Sequence, residues 1–134
     1  MNTDAASTAF SLDAYKWQNR LILIFAPSVK SPAYEMQMEL FEGETAGLAE
    51  RDILIIKGLN EGTSSVGEKP LDQAATQTLY NQFDVTPDQF RVILIGKDGT
   101  EKRRDDAPVM PAVLYGVIDA MPMRQREMRG EGEP

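Results

Sequence analysis

The chain has 134 residues, 42% apolar and 26% charged, the size and composition of one soluble globular domain. Its formal net charge of -7, from 21 acidic and 14 basic residues, repels a phosphate backbone and argues against a nucleic-acid partner. Cysteine and histidine are both absent, which excludes disulfides, thiolate nucleophiles, Cys or His metal sites and Ser-His-Asp catalysis.

Residues 1–9 are small and polar and read as a disordered N-terminus without the basic start or apolar stretch of a signal peptide. The compartment stays open between cytoplasmic and, for a trimmed chain, periplasmic or secreted. Asp13 to Trp17 reads as a short helical turn. Three apolar runs follow at Leu21–Ala26, Ile53–Ile56 and Val92–Ile95, each short, continuous and rich in β-branched residues. Such runs mark strands buried on both faces, and none is long enough to cross a membrane. Between the first two, Tyr34, Met38, Phe41, Thr45 and Leu48 recur at helical spacing and predict one helix over about Pro32–Ala49. Residues 57–70, rich in Gly and Ser, read as a long mobile loop. Leu71, Ala75, Leu79 and Phe83 predict a helix from Leu71 to Phe83. After the third strand, Asp98-Gly99 signals a type I′ hairpin into a short charged edge strand, Thr100–Arg104. Val113, Leu114, Val117, Ile118 and Met121 form the apolar stripe of a last helix, Pro111–Met121, which Pro122 ends or kinks. The expected organisation is one α/β domain over residues 10–123 and a polar tail over 124–134. Its order is β-α-β-α-β-β-α, with a four-stranded mixed sheet and helices on both faces.

A βαβ half followed by a ββα half is the thioredoxin order. Tyr15–Arg20, Phe25-Ala26-Pro27-Ser28, Arg51-Asp52-Ile53, Leu94–Gly99 and Ile118–Gln125 sharpen it. With these residues the chain, over about 10–128, resembles an uncharacterised thioredoxin/peroxiredoxin-like domain family. That family occurs alone in bacteria and within vertebrate sushi-repeat matrix proteins, where it is called the DUDES domain. The resemblance implies a thioredoxin-like fold and assigns no activity. Where thioredoxins carry CxxC, this chain has Pro27–Ala33 without sulfur. Where they carry a cis-proline, it has a position near Arg91. Arg91 resembles the peroxiredoxin arginine, but without a peroxidatic thiol it cannot support peroxide reduction.

Thiol redox and peroxidase activity are therefore not expected, no cofactor is called for, and a non-catalytic binding or protein-interaction module is the leading reading. The alternative is a small-anion or carboxylate binder, or a non-redox enzyme, at the loop after the first strand. There Ser28, Lys30 and Ser31 sit before a helix N-terminus and Arg91 approaches from a neighbouring strand. Ordinary helix capping accounts for the same residues. A Ser28–Lys30 catalytic pair lacks an identifiable oxyanion hole. Gly96-Lys97-Asp98-Gly99 lacks Walker spacing. Trp17 is expected to cover the edge of the core. Met123, Arg124 and Met128 are candidate contacts for a protein partner or a homodimer. The basic residues Lys97, Lys102, Arg103, Arg104, Arg124, Arg126 and Arg129 interleave with carboxylates and read as a mixed solvated surface.

Overall fold

A computed structural model describes residues 11–130. The N-terminus 1–10 and the last four residues, 131–134, lie outside the described residues. β1 (Arg20–Ala26) is buried along its whole length and forms the centre of the molecule. It pairs in parallel with β2 (Ile53–Leu59), Leu23 opposite Ile56. On its other side it pairs antiparallel with β5 (Arg91–Ile95), Leu23 opposite Ile93. Alternate residues of these strands enter two cores. Ile22, Ile24 and Leu94 face α1 (Pro32–Phe41) and α4 (Pro111–Asp119), packing with Tyr34, Phe41, Leu114 and Ile118. Leu21, Leu23, Phe25 and Ile93 pack on the opposite face with Leu79, Tyr80 and Phe83 of α3 (Gln73–Phe83). Two-sided burial is why the apolar runs are unbroken.

Among the described residues the sheet has six strands, in the order β4 (Lys69–Leu71), β3 (Ser64–Val66), β2, β1, β5, β6 (Glu101–Asp105), and not the expected four. The extra pair comes from the segment read as a loop. β2 continues to Leu59, and β3 and β4 form a hairpin beside it. Val66 pairs with Lys69 across Gly67-Glu68, and φ is positive (+59°) at Gly67 but not at Glu68, the pattern of a type II′ turn. Ser64 is buried, and its hydroxyl accepts the Leu59 N–H at 2.9 Å. A serine used as a core residue carries no apolar signal, so three-residue strands here escape periodicity. The hairpin also moves the helix start: Leu71 closes β4, and Asp72 caps α3 by accepting the Ala75 N–H at 2.8 Å.

Other boundaries shift for local reasons. The helix expected over Pro32–Ala49 is two, α1 and α2 (Thr45–Glu50), separated where Gly43 adopts φ +80°. Leu48 still packs on the core, whereas Thr45 is exposed. The hairpin into β6 (Glu101–Asp105) is not type I′, because φ is positive at Gly99 (+84°) but not at Asp98. Gly99 N–H donates to the Gly96 carbonyl and Gly96 N–H to Thr100, a longer loop with a bulge at Ile95. Pro122 starts a helix: α5 (Pro122–Met128) follows α4 directly, with Pro at its first turn. Residues 124–128, expected to begin a polar tail, are thus folded, and Arg124 is only 3% exposed. Both sheet edges are protected, β4 by Pro70 and β6 by an all-charged sequence.

Candidate functional site

The loop between β1 and α1 occupies the position of the thioredoxin redox centre. Its residues are arranged by local bonds: the Ser28 hydroxyl accepts the Lys30 N–H at 3.1 Å, and the Ser31 N–H donates to the Ser28 carbonyl at 3.2 Å. Ser31 precedes α1 without a side-chain cap bond, and Lys30 is exposed. Arg91 pairs with Phe25 in the sheet, one strand from this loop. Its guanidinium donates to its neighbour's carbonyl, Phe90, at 2.7 Å. Asp88 is held below its usual range chiefly by the Thr86 hydroxyl, with Arg91 a lesser contributor. No hydrogen bond among the described residues joins Arg91 to Ser28, Lys30 or Ser31. Fold geometry suggests a cluster here, but the Ser28 and Arg91 side chains bond to nearby backbone and Lys30 is exposed.

A denser arrangement lies at the opposite end of β1. Arg20, 1% exposed, donates through Nη1 to the Arg51 carbonyl at 2.9 Å and to Glu127 Oε1 at 3.1 Å, and through Nη2 to Glu127 Oε2 at 3.3 Å. Its Nε is buried and has no hydrogen-bond partner among the described residues. Lys97 bridges Glu127 at 2.7 Å and Asp52 at 2.8 Å. Arg51 forks onto Asp119 at 3.0 and 3.1 Å, and its guanidinium carbon lies 4.0 Å from the centroid of the Tyr115 ring. Arg124 donates to Asp119 at 2.9 Å and to Glu50 at 2.7 Å. Burial raises the Glu127 carboxyl, but bonds from Lys97 and Arg20 outweigh it and hold the group below its usual range. Asp119 is lowered by Arg51 first and Arg124 next.

This network ties α5 to the starts of β1 and β2 and places a cleft of about 320 Å³ beside it. Met121, Pro122 and Met123 supply apolar wall and Trp17 joins the lining; Arg20, Lys97 and Lys102 are paired with Glu127, Asp52 and Asp98, and Arg126 adds a cation with no ion pair among the described residues. Trp17 does not cover the core as expected. It is 60% exposed and sits at φ +70°, a conformation costly for a bulky side chain. Its backbone N–H donates to the Lys97 carbonyl at 2.6 Å, which anchors this backbone beside the turn after β5.

The residues read from sequence as partner contacts divide. Met123 is half-buried and lines the cleft, Met128 is 51% exposed and outside it, and Arg124 has its donors engaged within the fold. Sequence reading treated Lys97, Lys102 and Arg126 as ordinary surface. Nothing local reveals that Arg20 and Glu127 meet, 107 residues apart. Among the described residues no group of three or more Asp, Glu, His or Cys could hold a metal, and no helix is long and apolar enough to cross a membrane.

The architecture matches solved thioredoxin-fold enzymes at low identity. A reduced 2-Cys peroxiredoxin of Plasmodium vivax superposes with a TM-score of 0.62 at 12% identity, covering 87% of this chain and 84% of that one. A Plasmodium yoelii thioredoxin peroxidase I gives 0.62 at 13%, covering 90% and 82%. The fold is therefore thioredoxin-like, and with no cysteine in the sequence its thiol chemistry is absent. Coiled-coil domain-containing protein 80 of Danio rerio is 27% identical over 133 residues, covering 87% of this chain and 15% of that protein. The human sushi repeat-containing protein SRPX2 is 28% identical over 131 residues, covering 96% of this chain and 28% of that protein. The chain thus spans less than a third of the length of these curated relatives. A family model matches residues 11–127, and the chain belongs to that family, the Domain of unknown function (DUF4174).

Proposed function

We propose that this domain is a non-catalytic interaction module that takes a partner segment presenting an apolar residue flanked by carboxylates. The segment seats in the cleft between Trp17 and the start of α5. The observation that carries this reading is Trp17 itself. A tryptophan that is 60% exposed contributes little burial, and its left-handed backbone costs roughly 1–3 kcal/mol. Folding does not account for such a residue, whereas an aromatic anchor beside Met121, Pro122 and Met123 is what an interface centre uses. Arg126 is exposed, makes no ion pair among the described residues and borders this wall, which selects carboxylates on the incoming segment. Relatives that carry the matched region as a small part of a longer chain support a modular role.

Trp17 is the chain's single tryptophan, so its fluorescence reports directly on the cleft. A synthetic peptide with leucine or phenylalanine between glutamates is expected to shift the emission saturably. The same peptide with lysines is expected to leave it unchanged, and Met123→Glu to abolish the response. Equal responses to both peptides, or none, would overturn the proposal. A concentration-dependent dimer that Met123→Glu dissociates would place a second copy of the chain in the cleft instead.

A small-anion site at Ser28, Lys30, Ser31 and Arg91 is the second reading, favoured by the register that sets Arg91 opposite Phe25, next to the loop. Sulfate shifts at the amides of Ser28 and Lys30 that vanish in Arg91→Ala support it. A flat titration removes it.

A further inference from the structure

A cleft of about 470 Å³ lies at the other end of the sheet from Trp17. Seven residues of β1 separate the two ends by about 20 Å. The cleft opens between the carboxyl end of β2, the turn leading to β3, and the first turns of α3. Carboxyl ends of strands in α/β sheets are where small ligands usually sit. Its volume is that of a small-molecule site.

The chemistry of its lining is unusual for a chain in which 26% of residues are charged: no lining residue carries a charge. Asn60, Thr63, Gln73 and Gln77 present amides and a hydroxyl to it. Asn60, Thr63 and Gln73 make no side-chain hydrogen bond among the described residues, while Gln77 donates to Asn81 and keeps its Oε1 for another donor. Each carboxamide offers both donor and acceptor, the pattern that matches vicinal hydroxyl groups. Leu59, Leu71 and Pro87 add apolar patches on which the C–H face of a sugar ring can lie.

Two features disfavour an anion. The N-terminus of α3, which would attract one, is already occupied by the Asp72 carboxylate, bonded to the Ala75 N–H. The Tyr80 hydroxyl, part of the lining, already directs its proton to the Ala26 and Gly58 carbonyls, both at 3.1 Å, and burial pushes it up to about 12, so it stays neutral. A peptide adding as a strand is disfavoured too, since β4 carries Pro70, which has no N–H to donate.

We infer that this cleft is a binding site for a neutral, hydroxyl-rich ligand of one or two sugar rings, held by Asn60, Thr63, Gln73 and Gln77. The site is independent of the cleft at Trp17.

The test is an amide NMR titration of the chain with maltose, cellobiose and N,N′-diacetylchitobiose, with glucuronic acid and glycerol as comparators. At least one neutral disaccharide is expected to shift Asn60, Thr63, Gln73 and Gln77 saturably, with a Kd on the order of 1 mM for a few solvent-exposed hydrogen bonds. The double variant Asn60→Ala/Gln73→Ala, both at exposed positions, is expected to weaken that binding about tenfold, the effect of one or two lost hydrogen bonds, with an unchanged spectrum elsewhere. Met123→Glu is expected to leave it intact. No saturable shift with any of the disaccharides overturns the inference. So does tighter binding of glucuronate than of the neutral sugars, or an equal response to glycerol.

Discussion

Glu127→Gln tests whether the ion network holds the C-terminal helix to the domain. The substitution keeps the shape and one acceptor but removes the charge that Arg20 and Lys97 share. The side chains of Arg20 and Lys97 are 1% and 10% exposed, so neither cation can turn to water. Lys97 keeps Asp52, whose side chain is half exposed, while Arg20 keeps the Arg51 carbonyl, and its Nε already lacks a hydrogen-bond partner among the described residues. Removing one member of a buried pair costs roughly 3–5 kcal/mol, and an exposed pair contributes about 0–1. Glu127 is 20% exposed and glutamine retains a hydrogen bond, which places the expected cost at roughly 2–3 kcal/mol. For a domain of this size that lowers Tm by about 7–10 °C. Thermal unfolding followed by circular dichroism at neutral pH measures it, and a double-mutant cycle with Arg20→Met separates the pair from its surroundings. The pH dependence supplies a second check. The folded Glu127 carboxyl lies below its ordinary 4.5, so its contribution is complete above 4.5 and is lost as pH falls through the lower folded value. The gap between wild type and variant should be widest near neutral pH and close in acid. A Tm drop under about 2 °C at neutral pH, within the range of an exposed pair, would refute the reasoning.

Three further outcomes follow from single positions. Trp17→Gly should leave stability unchanged or raise it by up to about 1 kcal/mol, because glycine accepts φ +70° freely, while abolishing peptide binding; a clear loss of stability in a thermal melt would show that Trp17 serves the fold. Gly58→Ala should cost roughly 1–3 kcal/mol by urea unfolding, since its Cβ would stand 2.8 Å from the Phe25 ring; a neutral result would mean that this ring can shift. Leu114→Ala, at a fully buried position between α4 and the sheet, should cost roughly 2–5 kcal/mol in the same assay, and a cost below about 1 would place the core elsewhere.

Strands β1, β2 and β5 were legible because burial between layers leaves a signal that composition cannot hide, runs of Ile, Leu and Val without a polar break, and the charged edge strand β6 was legible from the Asp98-Gly99 turn before it. The β3–β4 hairpin was not legible, because one of its two buried residues, Ser64 and Val66, is polar and each strand has three residues. The break in the first helix was marked only by Gly43, whose φ of +80° needs three dimensions to appear. Site residues were harder still. Ser28, Lys30, Ser31 and Arg91 were chosen because the fold's relatives keep their chemistry there, yet each is engaged locally or exposed alone. Trp17 was visible, but its exposure depends on a backbone angle that no periodicity encodes. The Arg20–Glu127 pair joins residues 107 apart and leaves no local pattern.

Without cysteine the loop after β1 cannot carry thiol chemistry. The sheet then offers two clefts of different character, one at each end. The cleft at the start of β1 is apolar with one cation, Arg126, that has no ion pair among the described residues, and its other charges are compensated. The cleft at the end of β2 is free of charge, and its shape depends on the β3–β4 hairpin that lengthens the sheet beyond four strands. An addition to the sheet that creates a lined cleft, and a strained tryptophan that covers nothing, are both costs that the four-stranded core does not require. Their coexistence in a domain without thiols is what separates a binding role from a merely retained scaffold. The peptide and saccharide titrations test the two clefts independently.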